Sequence, residues 1–364
     1  MDHRERVMAA LRHQPVDRLP TDMWATAEVT QKLMEHFYIK EGGFSSGGKL
    51  LADSTDTFIE LFDRLDIDGP VGIAPPYIGP KLASKDVNEW GMAFRDQKYG
   101  GGVYSEQVYF PLATAETIAD LDAYPWPDPD WYDYAAIPGL AARYQGRAIC
   151  LGYTACFFFH NLTRGLELSL MDPLLRPEFT HHLVQRISDF FTEYHRRCFE
   201  AGKGLIDLAQ VTDDLGSQHG LLISPQVFDE FYRGAMQRAI DQAHSYGILV
   251  FHHDDGDCRR LLPRLVEMGI DLLNPIQWRC GQWDLAALKR DYGSRICFHS
   301  AVDNQQTLPF GTSEDVRQEV RALVETLGND HTGYIIGPCH NLQINTPIEN
   351  ILALYAAARE FGSF

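Results

Sequence analysis

No Cys-x-x-Cys pair occurs in this chain of 364 residues, and its seven cysteines are irregularly spaced. An odd count without a pairing rhythm excludes a disulfide framework and a zinc ribbon, and it fits a reducing compartment, the cytoplasm by expectation. No stretch approaches the roughly 18 uninterrupted apolar residues that a membrane span needs. The start, Asp2-His3-Arg4-Glu5-Arg6 running into Val7, Met8 and Leu11, reads as an amphipathic helix and lacks the continuous apolar core of a signal peptide. Neither Gly-x-Gly-x-x-Gly nor Gly-x-x-x-x-Gly-Lys-Ser/Thr occurs, so the common nucleotide-binding loops are missing. Positive charge is also short: 32 Lys and Arg stand against 50 Asp and Glu, a net charge of −18. A surface of that sign is a poor match for nucleic acid or for anionic membranes, and keeps a soluble enzyme dispersed.

What is present is an alternation of short apolar runs and helical segments. The runs Ala148–Leu151, Leu205–Ala209, Ile248–Phe251, Asp271–Leu273, Ile296–Phe298 and Tyr334–Ile336 are too short for helices and are bounded by glycine or charge, as buried strands are. Helical periodicity covers Phe179–Ala201, Pro225–Tyr246, Cys258–Met268, Leu285–Tyr292, Ser313–Leu327 and Ile348–Phe361. Several of these open on a capping hydroxyl, such as Ser224 before Pro225 and Thr312 before Ser313-Glu314. With Arg18–Trp24 and Asp66–Ile73 the strands total eight. This predicts an α/β chain folded as a (β/α)8 TIM-type barrel, one domain over 1–364. A doubly wound open sheet is the rival. Alternation around Gly100-Gly101-Gly102 predicts an inserted β-hairpin, followed by a rigid proline-rich connection, together spanning about 91–138. Gly42, Gly43, Ser45, Ser46, Gly47 and Gly48 predict a flexible loop.

In a barrel, chemistry sits on the loops after the strands. Five consecutive strand ends here offer His, Asp, Asn or Gln where solvating loops would favour Lys, Glu and Ser. His253 and Asp255 lie two apart at a strand end and, in extended chain, point the same way. They suit two ligands of one metal ion, with His340 or Cys339 as a third. That set leaves an open position and fits zinc, or Fe²⁺ as a two-His, one-carboxylate site. A hydrogen-bonded polar cluster without metal is the plain alternative. Asp213 and Asp214 face opposite ways, so one of them enters the mouth, and with His252 they are the candidates for acid–base work. The other possibility is an Asx-turn ahead of Ser224. Asn274, Gln277, Asp303, Gln343, Gln218 and Arg164 are the candidates for holding substrate. Phe157-Phe158-Phe159 reads as packing, and His181, His182, His219 and His299 as structural.

Taken in order, Arg4–Leu11, Asp17-Arg18-Leu19-Pro20, Tyr124-Pro125-Trp126-Pro127, Asp213-Asp214-Leu215-Gly216, Asn274-Pro275-Ile276-Gln277, Val302-Asp303 and Thr346-Pro347-Ile348-Glu349-Asn350 resemble the uroporphyrinogen decarboxylase superfamily, which includes corrinoid-dependent methyltransferases. The resemblance implies a (β/α)8 barrel. True porphyrinogen decarboxylases carry Met-Arg-Gln-Ala-Gly-Arg, whose arginines bind substrate carboxylates; here the stretch reads Asp22-Met23-Trp24-Ala25-Thr26-Ala27. Their Asp after the second strand is loosely matched by Asp68, and their C-terminal His by His340. The methyltransferase branch carries His-x-Cys-Gly after the fifth strand and a late Cys, which bind zinc. The aligned residues here are His253-Asp254-Asp255-Gly256, with His340 in place of the late Cys and Cys339 one residue off. Replacing thiolates by carboxylate and imidazole makes a harder site and a stronger Lewis acid, suited to an oxygen substrate.

Three functions follow as expectations. The first is a metal-dependent enzyme, zinc foremost, that moves a methyl group between a small methoxy or carboxylate substrate and a corrinoid protein or other acceptor. The second is a cofactor-independent decarboxylase using Asp68, His340 and the Asp213-Asp214 pair, with Arg18, Arg95 or Arg164 in the mouth. The third is a non-catalytic barrel subunit. The oligomeric state stays open, a homodimer among the options.

Overall fold

The computed structural model describes residues 1–39 and 56–364, so the expected glycine–serine loop at 42–48 lies outside the described residues. In chain order the strands are β1 (Val71–Ile73), β2 (Ala93–Tyr99), β3 (Gly102–Tyr109), β4 (Ile149–Thr154), β5 (Leu208–Val211), β6 (Gly216–Ser217), β7 (Gly220–Leu221), β8 (Leu249–His253), β9 (Leu272–Asn274), β10 (Cys297–His299) and β11 (Tyr334–Ile335). Seven of them form one parallel sheet in the order β1-β4-β5-β8-β9-β10-β11, with helices between successive members. The registers are parallel throughout, for example Val71 opposite Ile149 and His253 opposite Asn274. The interior-facing runs are apolar because both faces of such a sheet are covered.

The eighth stave is Arg18–Trp24, and it is not a continuous strand. Thr21 bridges Ile336 in parallel sense. The Asp22 amide donates to the Ile336 carbonyl at 2.8 Å, and the Ile336 amide to the Pro20 carbonyl at 2.8 Å. On the other side the Asp68 amide donates to the Thr21 carbonyl at 2.9 Å. Thus β11 and the segment ahead of β1 are joined through 20–22, and the sheet curls into a TIM-type barrel. Pro20 supplies no N–H, which shortens the ladder at that point.

Several boundaries differ from expectation for local reasons. The expected helix over Pro225–Tyr246 is interrupted by a π-helical turn, Phe228–Tyr232, whose Tyr232 is fully buried. β8 runs two residues past the expected Phe251, so His252 and His253 belong to the strand and not to its loop. The inserted hairpin is present as antiparallel β2 and β3. Its tip reaches the mouth: the Tyr99 hydroxyl donates to Gln343 Oε1 at 2.9 Å, and the Val103 amide to Glu28 Oε1 at 2.7 Å. No described helix is long and apolar enough to cross a membrane.

The N-terminal helix His3–Leu11 covers the other end of the barrel, where the strands begin. Arg4 forks onto Asp207, just ahead of β5, at 2.7 and 2.9 Å. Arg6 and Arg18 both reach Asp68 at 2.6 Å, joined by His3 Nδ1 at 2.8 Å. Burial raises the Asp68 carboxyl, but His3 and the two guanidiniums outweigh it and hold it below its ordinary value. Asp68 therefore stands in a closed ion network at the far end from the mouth, and the expectation that it polarises substrate is corrected. Its removal leaves two guanidiniums facing a buried void. Asp68→Ala should lower stability by about 3–5 kcal/mol, read as a fall in the urea midpoint at unchanged slope. A loss under about 1 kcal/mol would mean that the network is dispensable.

Candidate functional site

The site is assembled at the ends of β5, β8 and β11. The chain leaving β5 is stitched to β8: the Asp213 amide donates to the His253 carbonyl at 3.1 Å, and the Thr212 hydroxyl bonds the same carbonyl. β6 and β7 then fold over the loop after β8. Gly256 holds φ +83°, and a Cβ there would come within 2.6 Å of the Ser217 backbone; one on Gly216 would lie 2.3 Å from the Asp255 carbonyl. Only glycine permits this approach. Gln277 Oε1 accepts from the Gly256 amide at 2.7 Å and ties the same loop, the one that carries Asp255.

His253, Asp255 and His340 converge, each offering one ligand atom within 4.8 Å of the others. His253 Nε2 is 3.7 Å from Asp255 Oδ1, and His340 Nε2 is 3.2 Å from Asp255 Oδ2. The two imidazoles thus approach opposite oxygens of one carboxylate, at separations near the roughly 3.4 Å that a tetrahedral zinc ion with bonds of roughly 2.0–2.1 Å sets between its ligand atoms. Asp255 Oδ1 is buried and has no hydrogen-bond partner, which a coordinating cation would remedy. Cys339, the alternative to His340, is buried with its thiol pushed well up by burial and by Asp255, and it is not among the converging atoms.

Asp214 is the member of the acidic pair that enters the mouth, with Oδ1 3.7 Å from His253 Nε2. Burial raises its carboxyl, His253 opposes, and Asp255 adds to the rise. Asp255 goes the other way. Burial pushes it up, but His253 and the hydrogen bond from His340 hold it below the ordinary range. His340 is correspondingly raised: burial lowers it, and Asp255 more than compensates. Two mouth carboxyls are thus pushed apart, the pattern of an acid–base assignment.

The other candidates fall elsewhere. Asp213 is buried and accepts from the Phe157 and Phe158 amides at 3.2 and 2.8 Å, which caps the helix Cys156–Arg164; burial raises its carboxyl well above the ordinary value. His252 is fully buried, donates from Nδ1 to the Val211 carbonyl at 2.8 Å and is pushed down to about 4 by burial. Neither faces the mouth, because adjacent residues on an extended chain alternate.

Arg164 is consumed by Asp172 and by the Leu112 and Ala115 carbonyls, so its expected role as a substrate clamp is corrected. Asp303 accepts from the Gln305, Gln306 and Thr307 amides and pairs with Arg279 at 2.9 Å; it caps a helical turn and has no capacity left for substrate. Gln218 is exposed at the rim, where its Oε1 accepts from the Cys280 thiol and from Gln305 Nε2. Gln343 meets the hairpin through Tyr99.

Asn274 lies behind His253, not in the open mouth: its Oδ1 is 2.6 Å from His253 Nδ1, and its Nδ2 is 2.6 Å from His299 Nδ1. His299 Nε2 in turn lies 2.9 Å from Asp22 Oδ2. Trp24 forms a wall of the site, its ring centroid 5.2 Å from that of His253 and 6.0 Å from that of His340. Sequence reasoning missed Asp22 and Trp24 as site residues and passed over His299. The usable signal is the strand-end rule, which holds for the first stave as it does for the five later ones.

A family model for uroporphyrinogen decarboxylase (URO-D) matches residues 110–361. Uroporphyrinogen decarboxylases of Aliivibrio salmonicida and Photobacterium profundum are each 21% identical over 376 aligned residues, 98% of this chain and 97% of theirs. Among solved structures, a methyltransferase from Methanosarcina mazei superposes with a TM-score of 0.67 at 18% identity, over 99% of both chains, and so shares the fold. The chain belongs to the uroporphyrinogen decarboxylase family.

Proposed function

We propose that this protein is a metal-dependent enzyme of the methyltransferase branch of its family, holding a divalent cation through His253, Asp255 and His340. The observation that carries the reading is the convergence of these three side chains around an orphaned carboxylate oxygen. The neighbour of the same fold, a methyltransferase from Methanosarcina mazei, is in keeping with it. Zinc suits the donor set best, with Fe²⁺ as the other ion that two imidazoles and a carboxylate accommodate. When bound, the cation supplies Lewis acidity toward a substrate oxygen. The chain's own residues do the rest. Asp214, raised by burial and Asp255, holds or takes a proton at its carboxyl oxygen. Trp24 excludes water from one side, and Asn274 orients His253. The substrate is a small methoxy compound or carboxylate, and the methyl acceptor a corrinoid protein.

The decarboxylase reading has the names of the curated relatives in its favour. The charges in the mouth oppose it. Arg18 is committed to Asp66 and Asp68 at the far end, Arg164 is buried against Asp172, and Arg95 is exposed on β2. Asp255, held below the ordinary carboxylate range by His253 and His340, would meet a polycarboxylate with like charge. A non-catalytic barrel is opposed by the convergence of polar side chains from separate strand ends.

Elemental analysis of protein purified without chelators or a metal-affinity tag should find about one divalent ion per chain, and full activity in metal-free protein would refute the reading. His253→Ala and Asp255→Ala should each weaken binding at least about 100-fold while the fold is kept, since loss of an outer partner alone costs roughly 10–100-fold. Wild-type metal content in both variants would reduce residues 252–255 to a structural polar cluster. Uroporphyrinogen should not be turned over; coproporphyrinogen formed faster than roughly 1 per second would restore the decarboxylase.

The pH dependence has a definite sign. His340 holds its proton more tightly than an ordinary imidazole of 6.5, and a cation must expel that proton to bind. Affinity should therefore climb with rising pH, with its half-point above 6.5 and about one proton released from His340. His340→Gln should remove that proton release. A half-point below 6.5 in the wild type would contradict the assignment.

A further inference from the structure

Behind His253 a line of buried side chains leads away from the mouth and ends on a carboxylate. Asn274, His299 and Asp22 are each 2% exposed or less. The contacts run His253 Nδ1 to Asn274 Oδ1 at 2.6 Å, Asn274 Nδ2 to His299 Nδ1 at 2.6 Å and His299 Nε2 to Asp22 Oδ2 at 2.9 Å. Each internal member must donate on one side and accept on the other, so the whole line has a single direction.

We infer that Asp22, acting through His299 and Asn274, sets the tautomer of His253 and thereby makes its Nε2 the lone-pair nitrogen that faces the mouth. The inference rests on the metal reading above for its purpose, but not for its geometry. An ionised carboxylate only accepts, so His299 must present Nε2–H to it. The other nitrogen of a neutral His299 is then an acceptor, and only the amide N–H of Asn274 can meet it. That turns the Asn274 oxygen toward His253, which donates from Nδ1 and leaves Nε2 bare. Nε2 is the atom 3.7 Å from both Asp214 and Asp255. A partner on the far ring nitrogen commonly fixes a ligating imidazole. Here the partner that decides is three groups away.

Asp22 is held in one orientation. Its Oδ1 accepts from the Met23 amide at 2.8 Å, and a Cβ added to Gly69 would lie 1.8 Å from that oxygen. Its backbone is tied at both ends: its amide donates to Ile336 and its carbonyl accepts from the Tyr355 hydroxyl at 3.0 Å. This makes Asp22→Asn a change of direction at nearly constant shape. The amide oxygen stays on the Met23 N–H, so the new NH₂ faces His299 Nε2. His299 must then donate from Nδ1, Asn274 must flip, and its NH₂ meets His253 Nδ1. His253 is left with its proton on Nε2, where it cannot ligate.

The experiment is ¹⁵N NMR of histidine-labelled, metal-free protein, with His253 and His299 assigned by single substitution, beside a Co²⁺ titration followed by absorbance. Wild-type His253 should be protonated at Nδ1, and Asp22→Asn should move that proton to Nε2 and weaken Co²⁺ binding about 10–100-fold. Adding Asn274→Asp to Asp22→Asn should restore both, because the carboxylate at 274 accepts from His253 whatever His299 does. Should Asp22→Asn fail to fold, Asn274→Asp tests the direction of the line at His299, which should gain a proton at Nδ1; a His299 that gains none there overturns the inference. An Nε2-protonated His253 or a doubly protonated His299 in the wild type, or a His253 signal indifferent to Asp22→Asn, overturns the inference. If Co²⁺ fails to bind while the tautomer still switches, the metal reading falls and the relay stands.

Discussion

Barrel closure depends on the hydrogen-bonding groups of residues 20–22 and their two neighbours, Ile336 and Asp68. This stave is too short and too proline-limited to hold itself by ladder bonds. It is held by what flanks it, above all the Asp68 carboxylate, which takes Arg6, Arg18, His3 and the Thr21 amide together. A buried carboxylate with that many donors is satisfied in both charge and hydrogen bonding, which is the condition for burying it at all. The ion network at one end of the barrel and the site at the other are therefore linked through a short run of backbone.

Four carboxylates, at 213, 214, 254 and 255, crowd one side of the mouth, and the protein treats them in two ways. Asp213 and Asp254 are turned inward, and each takes two backbone N–H groups, Asp254 from Leu215 and Gly216 at 2.9 Å. Those two tie loops to the barrel. Asp214 and Asp255 face outward; the charges acting on Asp214 are those of His253, Asp255 and His340, and those acting on Asp255 are His253 and His340. Alternation along an extended chain produces this split without any special device. It leaves oxygen and imidazole nitrogen, both harder donors than thiolate, facing the mouth.

The alternation of short apolar runs with capped helices made the barrel legible, because buried parallel strands and C-terminal glycines leave strong local marks. The trio His253, Asp255 and His340 was legible for a similar reason: strand ends carry chemistry, and two residues at spacing two share a side. What stayed hidden is non-local. Nothing in the segment around Arg164 signals that Asp172 and two carbonyls will use its donors, and nothing near Asp303 marks it as a cap rather than a contact for substrate. Asp68 matched a family position by order along the chain, yet lies at the wrong end, because order does not say which end of a strand a residue occupies. Asp22 and Trp24 stand on a stave read as a strand, but what brings them to the site is again non-local: bonds to Ile336, His299 and Tyr355 and the ring contact of Trp24 with His253.

The bond between His299 and Asp22 joins residues 277 positions apart in the chain, and the Tyr355 hydroxyl reaches back 333 positions to the same aspartate. Contacts of such span form late, after the loop-closure entropy of nearly the whole chain has been overcome. A growing chain on the ribosome has made His253 and Asp255 well before the last stave pairing can form. Until β11 is synthesised and Ile336 captures residues 20–22, His253 has no fixed proton position. The line behind His253 thus closes in the same step that seals the barrel, and a chain made only as far as β10 carries His253 and Asp255 with neither that closure nor His340.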